Sequence, residues 1–297
     1  MEFGACVPHY GVPMSKRAIA DFCAHAEDLD FDSIWTTDHI AVSKQFSNPY
    51  GNIFESLMTL AYAAAMTERM KLGTSIIVLP MRNPILFAKQ TATLDQLSDG
   101  RLILGLGAGW MEDEFATLGS NFHDRGKMMD EQIRLLRELW THPEPKFEGR
   151  FFKISDVAFS PKSSQENGPP IWIGGASDAA LRRIERLGDG WHPVGLSPKE
   201  LVQGKEKLDA LTKRKRKVTV SVRVPVKISP SAGTTYALSS GEQAYMIGGT
   251  RQAVLDEVEK FKQAGLDHLI CYFGNESYDE VASQLALFGR EVVPSFK

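Results

Sequence analysis

Residues 31–39 read Phe-Asp-Ser-Ile-Trp-Thr-Thr-Asp-His, a short apolar strand that ends in an acidic residue and a histidine. A buried parallel strand is apolar on both faces, so polar side chains are expected where the strand leaves the sheet. Open α/β sheets and α/β barrels carry their chemistry at that carboxyl end. Asp38 and His39 are therefore candidate site residues, and histidine is the side chain that changes charge most readily near neutral pH. The alternative is a loop carboxylate beside a surface histidine.

Strand-like and helix-like stretches alternate outward from this segment along nearly the whole chain. Eight stretches predict strands: residues 3–8, 31–39, 71–79, 101–107, 171–175, 191–195, 218–228 and 268–273. Amphipathic helical patterns lie between them, and Ser15, Ser177 and Thr250 are placed to cap three of these helices. Eight strands with intervening helices predict an α/β fold of the (β/α)₈ TIM-barrel type. We predict one barrel domain over residues 1–297.

Two stretches are longer than ordinary connections in such a barrel. They cover about residues 141–170, which end in Pro169-Pro170, and about residues 229–249, which are rich in Ser, Gly and Thr. Long loops inside compact domains are usually functional or mobile. We interpret both as insertions in barrel loops. The second is a candidate active-site lid, with a plain surface loop as the alternative.

Composition and charge narrow the class of protein. The chain has 297 residues, 43% hydrophobic and 24% charged, which is ordinary for a globular protein. A net charge of -3 and a pI near 6.2 argue against a nucleic-acid or anionic-membrane partner. The basic run at residues 213–217 closes a helical stretch, where cations suit the helix dipole, and is interpreted as a solvated helix end.

The cysteines and the start of the chain indicate the compartment. Cys6, Cys23 and Cys271 are odd in number and far apart, so they predict neither a disulfide framework nor a metal site. The first residues lack the positive region and apolar core of a signal peptide, and no apolar run is long enough to span a bilayer. A cytoplasmic location is expected.

Two glycine turns follow neighbouring predicted strands. Residues 105–110 read Gly-Leu-Gly-Ala-Gly-Trp, and residues 171–177 read Ile-Trp-Ile-Gly-Gly-Ala-Ser and lead directly into a helix. Glycines let the backbone approach a ligand closely, and a helix N-terminus attracts anions. Either turn alone is explained equally well by tight packing. Together they predict a phosphate site for a phosphorylated cofactor.

Three further features of the sequence bear on the kind of site: a hydroxyl in an apolar strand, a possible metal site and the absence of two common motifs. Ser75 places a hydroxyl inside an apolar strand, so a backbone group or a ligand is expected to satisfy it. A metal site built from Asp38, His39 and His192 is a minor alternative, because no metal-binding spacing accompanies them. The GxSxG elbow of serine hydrolases and the Walker loop are absent from the sequence.

The ordered combination of these segments resembles the luciferase-like monooxygenase superfamily, and it looks closest to the branch of coenzyme F420-dependent (deazaflavin) oxidoreductases. The segments that match, in order, are Asp38-His39 and residues 73–76, 101–110 and 170–177. The resemblance covers nearly the whole chain. It is specific for the superfamily and much less specific for the cofactor.

The resemblance implies a flavin or deazaflavin at the carboxyl-end mouth of the barrel. Asp38 and His39 would lie beside its ring, with His39 as the acid/base and Asp38 orienting it or holding the ring. Ser75-Ile76 matches the bulge behind the ring, which in this family is often a non-proline cis peptide. The phosphate-binding segments would be Gly107, Ala108 and Gly109 together with Gly174, Gly175, Ala176 and Ser177.

One departure from the family pattern bears on the substrate. Sugar-phosphate dehydrogenases of this superfamily carry a glutamate where this chain has Trp110, so that substrate class is not expected. The nearby Glu112 and Glu114 are interpreted as partners of a helix dipole. Trp110 and His192 are predicted to line the substrate pocket, and Trp35 is predicted to pack in the core.

The function predicted is F420-dependent hydride transfer to or from a small organic substrate. The first alternative is an FMN-dependent monooxygenase that uses reduced flavin and oxygen. A non-catalytic flavin-binding relative is a minor alternative. We expect a small-molecule substrate, no nucleic-acid or membrane partner, no metal and a homodimer.

Overall fold

Eight parallel strands close into a barrel in the computed structural model, which describes residues 1–213, 217–237 and 243–297. They are β1 (Glu2–Cys6), β2 (Ser33–Thr36), β3 (Lys71–Thr74), β4 (Leu102–Gly107), β5 (Ile171–Gly174), β6 (Gly190–His192), β7 (Thr219–Ile228) and β8 (His268–Tyr272). Each strand pairs with the next one along the chain, and β8 pairs with β1. The predicted (β/α)₈ barrel is confirmed.

In the described part of the chain, eight helices surround the barrel. They are α1 (Lys16–Asp28), α2 (Ser56–Ala64), α3 (Pro84–Leu97), α4 (Arg125–Thr141), α5 (Asp178–Leu187), α6 (Pro198–Thr212), α7 (Arg251–Gln263) and α8 (Tyr278–Glu291). The side chains of Ser15, Ser177 and Thr250 accept hydrogen bonds from backbone N–H groups in the first turns of α1, α5 and α7, so the predicted caps are confirmed. A further helical turn, Glu112–Thr117, follows β4.

The remaining elements are short. Helical turns occur at Lys44–Phe46, Ser47–Tyr50, Leu79–Met81 and Val293–Ser295. The first predicted insertion contains a hairpin of Phe147–Glu148 and Lys153–Ile154. The second contains a hairpin of Thr235–Ala237 and Gln243–Tyr245, and its last residues, Ile247–Gly249, form a strand that pairs in parallel with β7. The second insertion is therefore not all loop. The predicted serine-glycine segment at 239–241, Leu238 and the centre of the basic run, 214–216, lie outside the described residues.

Several strands are shorter than the predicted stretches, and the third and the sixth end at identifiable local features. The third stops at Thr74, the Ser75–Ile76 peptide bond that follows is cis, and the chain resumes as the two-residue strand Ile77–Val78 beside β4. The sixth ends at His192 because the next residue, Pro193, has no N–H for the sheet ladder. Both breaks fall at the carboxyl ends of the strands.

Apolar packing fills the barrel and the layer between strands and helices. Inside the barrel, Trp35 is fully buried between Trp172, at 5.2 Å between ring centroids, and His192, at 4.9 Å. The prediction that Trp35 packs in the core is confirmed. Among the described residues, no helix is long and apolar enough to cross a membrane.

Candidate active site

Most of the residues predicted to form a site lie together at the carboxyl ends of the strands. His39 follows β2, Ser75 follows β3, and the two glycine turns follow β4 and β5. A cavity of about 850 Å³ opens at the opposite end of the barrel, beside the first residues of β1, β3 and β7. Barrel enzymes carry their chemistry at the carboxyl ends of the strands. The candidate site is therefore the mouth of the barrel at those ends, and not the cavity at the opposite end.

His39 is held by a carboxylate that is distant in sequence. Its Nδ1 lies 2.9 Å from Oε2 of Glu114, and the ring is packed against Tyr50 with the centroids 4.2 Å apart. The other carboxylate oxygen of Glu114 accepts hydrogen bonds from the N–H groups of Ile40 (2.6 Å) and Ala41 (3.1 Å). Glu114 thereby fixes both the imidazole and the backbone that follows it.

The charge on Glu114 is stabilised in this position. Its side chain is buried, which acts to raise its pKa, but the hydrogen bonds from His39 and from the Ile40 N–H outweigh burial and hold the pKa below its ordinary value. An ionised carboxylate only accepts hydrogen bonds, so Nδ1 of His39 carries the hydrogen of this bond and Nε2 is not part of it. The interpretation of Glu114 as a mere dipole partner was wrong.

Asp38 does not orient His39, contrary to the first of the two roles predicted for it. Its buried carboxylate accepts hydrogen bonds from the Arg82 guanidinium and from the Val78 N–H (3.1 Å). Arg82 also forms an ion pair with Glu55 at 3.2 Å. Burial raises the pKa of Asp38, while Arg82 and the Val78 N–H act in the opposite direction. Asp38 therefore anchors the chain after the cis peptide, and the orienting role belongs to Glu114.

Ser75 and His192 form one buried hydrogen-bonded unit. Nε2 of His192 lies 2.8 Å from the Ser75 hydroxyl, and Nδ1 lies 2.7 Å from the hydroxyl of Ser221. Burial lowers the pKa of His192 to about 3, so its ring is neutral. The expected partner of Ser75 is thus a side chain, neither a backbone group nor a ligand. His192 is fully buried behind Ser75, a position that differs from the predicted direct contact with substrate.

The arginine on β7 reaches into the same mouth. Nη1 of Arg223 donates to the Thr37 hydroxyl (2.8 Å) and to the carbonyl oxygen of Ser75 (3.1 Å), and Nη2 donates to the Tyr10 hydroxyl (3.2 Å). Its guanidinium lies over the ring of Tyr272, 5.1 Å from the centroid. Arg223 thereby ties β1, β2, β3 and β8 together at the point where a ligand would sit.

The two glycine turns differ in why glycine is needed. A Cβ at Gly107 would lie 1.9 Å from Cδ1 of Ile76, and one at Gly174 would lie 2.9 Å from the same atom. Packing against Ile76 therefore explains these two glycines. Gly175 has φ of +90°, and a Cβ there would meet nothing closer than Ala180 at 3.8 Å. Gly175 thus leaves open space beside an exposed helix start, as an approaching phosphate requires.

The neighbours of Gly175 and of Gly109 complete this surface. Ala176 and Ser177 are exposed at the start of α5, and the Ser177 hydroxyl is engaged in capping through Ala180. Ala108 and Gly109 are half-buried, and the Gly109 carbonyl accepts a hydrogen bond from Arg125. The backbone at the start of α5 has the shape and polarity that fit a phosphate group.

Two aromatic groups form the rim of the mouth. Trp110 is 48% exposed and packs edge-on against Phe46, with the centroids 5.2 Å apart. On the other side, Tyr236 of the second insertion is half-buried and lines a cavity of about 230 Å³ together with Tyr272. Tyr245 of the same insertion packs on Phe261 of α7, with the ring centroids 5.9 Å apart.

Sequence reasoning missed three charged residues of this site. Arg223 could have been found, because it is a charged residue in the middle of an apolar strand. Arg82 lies in the loop after the third strand, where a cation is a weaker signal. Glu114 had no local signal, since its partner His39 is 75 residues away. Among the described residues, no group of three or more His, Cys, Asp or Glu side chains is arranged to hold a metal ion.

Comparison with known proteins identifies relatives along nearly the whole chain. The profile of the luciferase-like monooxygenase family matches residues 1–269. An F420-dependent glucose-6-phosphate dehydrogenase of Amycolatopsis mediterranei is 24% identical over 323 residues, spanning 95% of each chain. A protein of the same name from Kineococcus radiotolerans is 32% identical over 177 residues, which are 58% of this chain and 51% of that protein.

Solved structures share the fold over the full length. The monooxygenase RslO1 from Streptomyces bottropensis superimposes with a TM-score of 0.84 at 20% identity, covering 100% of both chains. An F420-dependent secondary alcohol dehydrogenase in complex with an F420-acetone adduct gives 0.81 at 19% identity, covering 100% of this chain and 99% of the other. The FMN-bound oxygenating constituent of 3,6-diketocamphane monooxygenase from Pseudomonas putida gives 0.77 at 17%, with the same coverage. These similarities show the fold.

Proposed function

The chain belongs to the luciferase-like monooxygenase family, and from that premise we propose that it is an oxidoreductase that uses the deazaflavin coenzyme F420 on a small organic substrate. The observation that carries the proposal is the buried His39–Glu114 pair at the carboxyl-end mouth, beside the open glycine turn at Gly175. Two relatives named as F420-dependent dehydrogenases support the deazaflavin over FMN.

The protein's own groups supply binding and proton transfer. When bound, a deazaflavin supplies or accepts a hydride. Nε2 of His39 gives or takes the accompanying proton, because Glu114 holds the proton on Nδ1 and stabilises the imidazolium. Arg223 and Thr37 fix the Ser75 carbonyl, so the Ser75–Ile76 segment presents a rigid apolar wall behind the ring. Gly107, Ala108 and Gly109 and the backbone of Gly174, Gly175, Ala176 and Ser177 would hold the cofactor's phosphate.

The substrate of this chain is not a sugar phosphate, despite the names of these relatives. Trp110 cannot act as a general acid or base at the position where the family's sugar-phosphate dehydrogenases carry a glutamate, because an indole N–H is only a hydrogen-bond donor. Glu114 does not replace that glutamate, because both of its oxygens are engaged with His39, Ile40 and Ala41. Trp110 instead offers a half-exposed aromatic wall for the substrate.

The described part of the second insertion is placed to cover the mouth. Tyr236 is half-buried close to Arg223 and Tyr50, and burial raises the pKa of its hydroxyl, so the ring is neutral. Closure of this hairpin would exclude water from a hydride transfer and strengthen the electrostatic interactions in the site. The hairpin therefore acts as a lid in our proposal.

We also propose an oligomeric state, a cellular location and a domain organisation for the protein. Three apolar side chains on the neighbouring helices α2 and α3, Met58, Ile85 and Leu86, are 68%, 41% and 58% exposed, and a second copy of the chain would cover them in a homodimer. The cysteines are free and buried, which suits the reducing cytoplasm. Residues 1–297 form one barrel domain with its two loop insertions.

A comparison of cofactors tests the proposed function. Fluorescence-quenching titrations with F420 and with FMN are expected to give a lower Kd for the deazaflavin. Tighter binding of FMN, together with oxygen consumption in the presence of reduced flavin, would instead establish the FMN-dependent monooxygenase. Binding of neither cofactor would reject both.

A further inference from the structure

Arg223 is a cation in the mouth without a carboxylate partner. Among the residues that the structure describes, none of the ion pairs within 4.0 Å includes it, although Arg82, the other arginine of the mouth, contacts both Asp38 and Glu55. A partly buried charge without a counter-ion is unfavourable, so burial of charge normally comes with an opposite charge. The missing negative charge points to a ligand.

The titratable groups around Arg223 are all neutral near pH 7. Burial raises the pKa of Tyr10, Tyr272 and Tyr236, and that of the Cys6 thiol. Burial, together with the positive charge of Arg223, lowers the pKa of His192 to about 3. None of these side chains carries a negative charge that would compensate the guanidinium.

The described contacts of the Arg223 guanidinium do not use all of its N–H groups. Three of its five N–H groups are used by Thr37, Ser75 and Tyr10. Within the described residues, the Nε–H and the second Nη2–H have no acceptor. A carboxylate has two coplanar oxygens that match two guanidinium N–H groups in a bidentate pair, which is the strongest form of charge-assisted hydrogen bond.

We propose that Arg223 binds a carboxylate of the substrate, so that the enzyme acts on a small organic acid. The inference that the acid is the substrate rests on the proposed function, whereas the inference that Arg223 binds a carboxylate does not. A path of aromatic contacts leads from Arg223 to the proton-transfer group. The ring centroids of Tyr10 and Tyr50 lie 5.9 Å apart, and those of Tyr50 and His39 lie 4.2 Å apart. The substrate therefore lies along tyrosine rings, with its acid group at Arg223 and its reacting carbon toward His39.

The aromatic surroundings favour an acid with a flat or apolar body. Tyr10 and Tyr272 are stacked with an interplanar angle of 11°, and Tyr50 is tilted against Tyr10. Such faces pack well against planar apolar groups. The same guanidinium chemistry would also suit a negatively charged oxygen of the reduced cofactor ring, and the experiment separates these two sources.

Benzoate and its neutral isostere benzamide are the probes, titrated against the full-length protein without added cofactor and followed by thermal shift and intrinsic fluorescence. Benzoate is expected to bind at least tenfold more tightly than benzamide. Arg223→Gln should abolish that preference, and Arg223→Lys, which keeps the charge but loses the fork, should retain only part of it. Lys227→Gln is the matched control: it removes a cation from the same strand that is already paired with Glu280 at 2.6 Å. Circular dichroism confirms folding of each variant.

The possible outcomes either support or overturn the proposal. Preferential benzoate binding that is lost in Arg223→Gln and kept in Lys227→Gln supports it. Equal binding of the two probes by the wild type, absence of saturable benzoate binding, or a preference that survives in Arg223→Gln overturns it. A variant that binds benzoate normally but loses affinity for F420 assigns Arg223 to the cofactor and also overturns it. Because the probes are titrated without cofactor, failure here leaves the F420 and FMN titrations unaffected.

Discussion

Replacement of Glu114 by alanine is the change that most directly tests the architecture of the site. Glu114 is buried, and it accepts three hydrogen bonds, from His39 Nδ1 at 2.9 Å and from the N–H groups of Ile40 and Ala41 at 2.6 and 3.1 Å. Alanine removes all three. The free energy of unfolding should therefore fall, by an amount that depends on whether water can take the place of the carboxylate.

The magnitude follows from the burial of each donor. The His39 ring is buried, so leaving its Nδ1 without an acceptor costs about 1–3 kcal/mol. Ile40 is 42% exposed, so water can reach the two backbone donors, and each bond lost there costs about 0.5–1 kcal/mol. The sum predicts a loss of roughly 2–5 kcal/mol, a large fraction of the ~5–15 kcal/mol that stabilises a typical protein.

Urea unfolding followed by circular dichroism measures this loss. Glu112→Ala is the matched control, because Glu112 lies on the same helical turn but is 62% exposed, and its effect should stay within about 0.5 kcal/mol. A double-mutant cycle with His39→Ala should give a coupling energy of roughly 1.5–3 kcal/mol for the His39–Glu114 pair. A coupling near zero, or a Glu114→Ala variant as stable as Glu112→Ala, would refute the assignment of Glu114 as the partner that orients His39.

Stability at low pH provides a second measurement on the same residue. The pKa of Glu114 is lower in the folded protein than in the unfolded chain, so its stabilising contribution is present above the unfolded pKa and is lost as the pH falls through the folded one. Below about pH 4.3, the ordinary pKa of glutamate, the wild type should therefore lose stability more steeply than Glu114→Gln. Parallel curves for the two proteins would contradict the lowered pKa.

The remaining predictions concern the cofactor, the proton and the lid. Gly175→Val should weaken F420 binding roughly tenfold or more without unfolding the barrel, because a branched side chain both fills the open space and disfavours φ of +90°; an unchanged Kd would reject this phosphate site. His39→Ala should reduce the turnover rate by roughly 10²–10⁴ with little change in cofactor affinity, and full turnover would leave His39 with packing alone. Amide hydrogen exchange in Thr235–Ala237 should slow when cofactor and substrate are both present, and equal exchange with and without ligands would count against a lid.

The barrel could be predicted from the sequence because its determinants are local. Eight apolar stretches separated by amphipathic helices specify the topology, and capping residues such as Ser15 act on N–H groups three residues away. His39 was found for the same reason: a polar residue directly after an apolar strand must lie at the edge of the sheet. The position predicted for His39, at the end of β2, was correct, but the residue that orients it is Glu114 and not Asp38.

The hydrogen-bond partners of the site residues could not be predicted, because these partners are distant in the sequence. Asp38 is adjacent to His39 in sequence, yet the two side chains have different partners, Arg82 and Glu114. Neighbouring side chains on an extended segment point in opposite directions, so adjacency argues against a shared contact. His192 shows the same limit: the sequence placed it at the end of β6, but only the structure shows Ser75 between it and the mouth.

Under the proposed binding of an acid, Arg82 and Arg223 would together set the orientation of the substrate. Arg82 is already paired with two carboxyl groups, those of Asp38 and Glu55, so its guanidinium is less available to an acid. Arg223 lies among neutral side chains, so its charge remains available. An acid entering the mouth is therefore drawn toward β7 and β8 and away from the loop after β3. In the proposed binding mode, the far end of the acid would lie beside His39, the proposed proton-transfer residue, and this asymmetry would select which end of the substrate reacts.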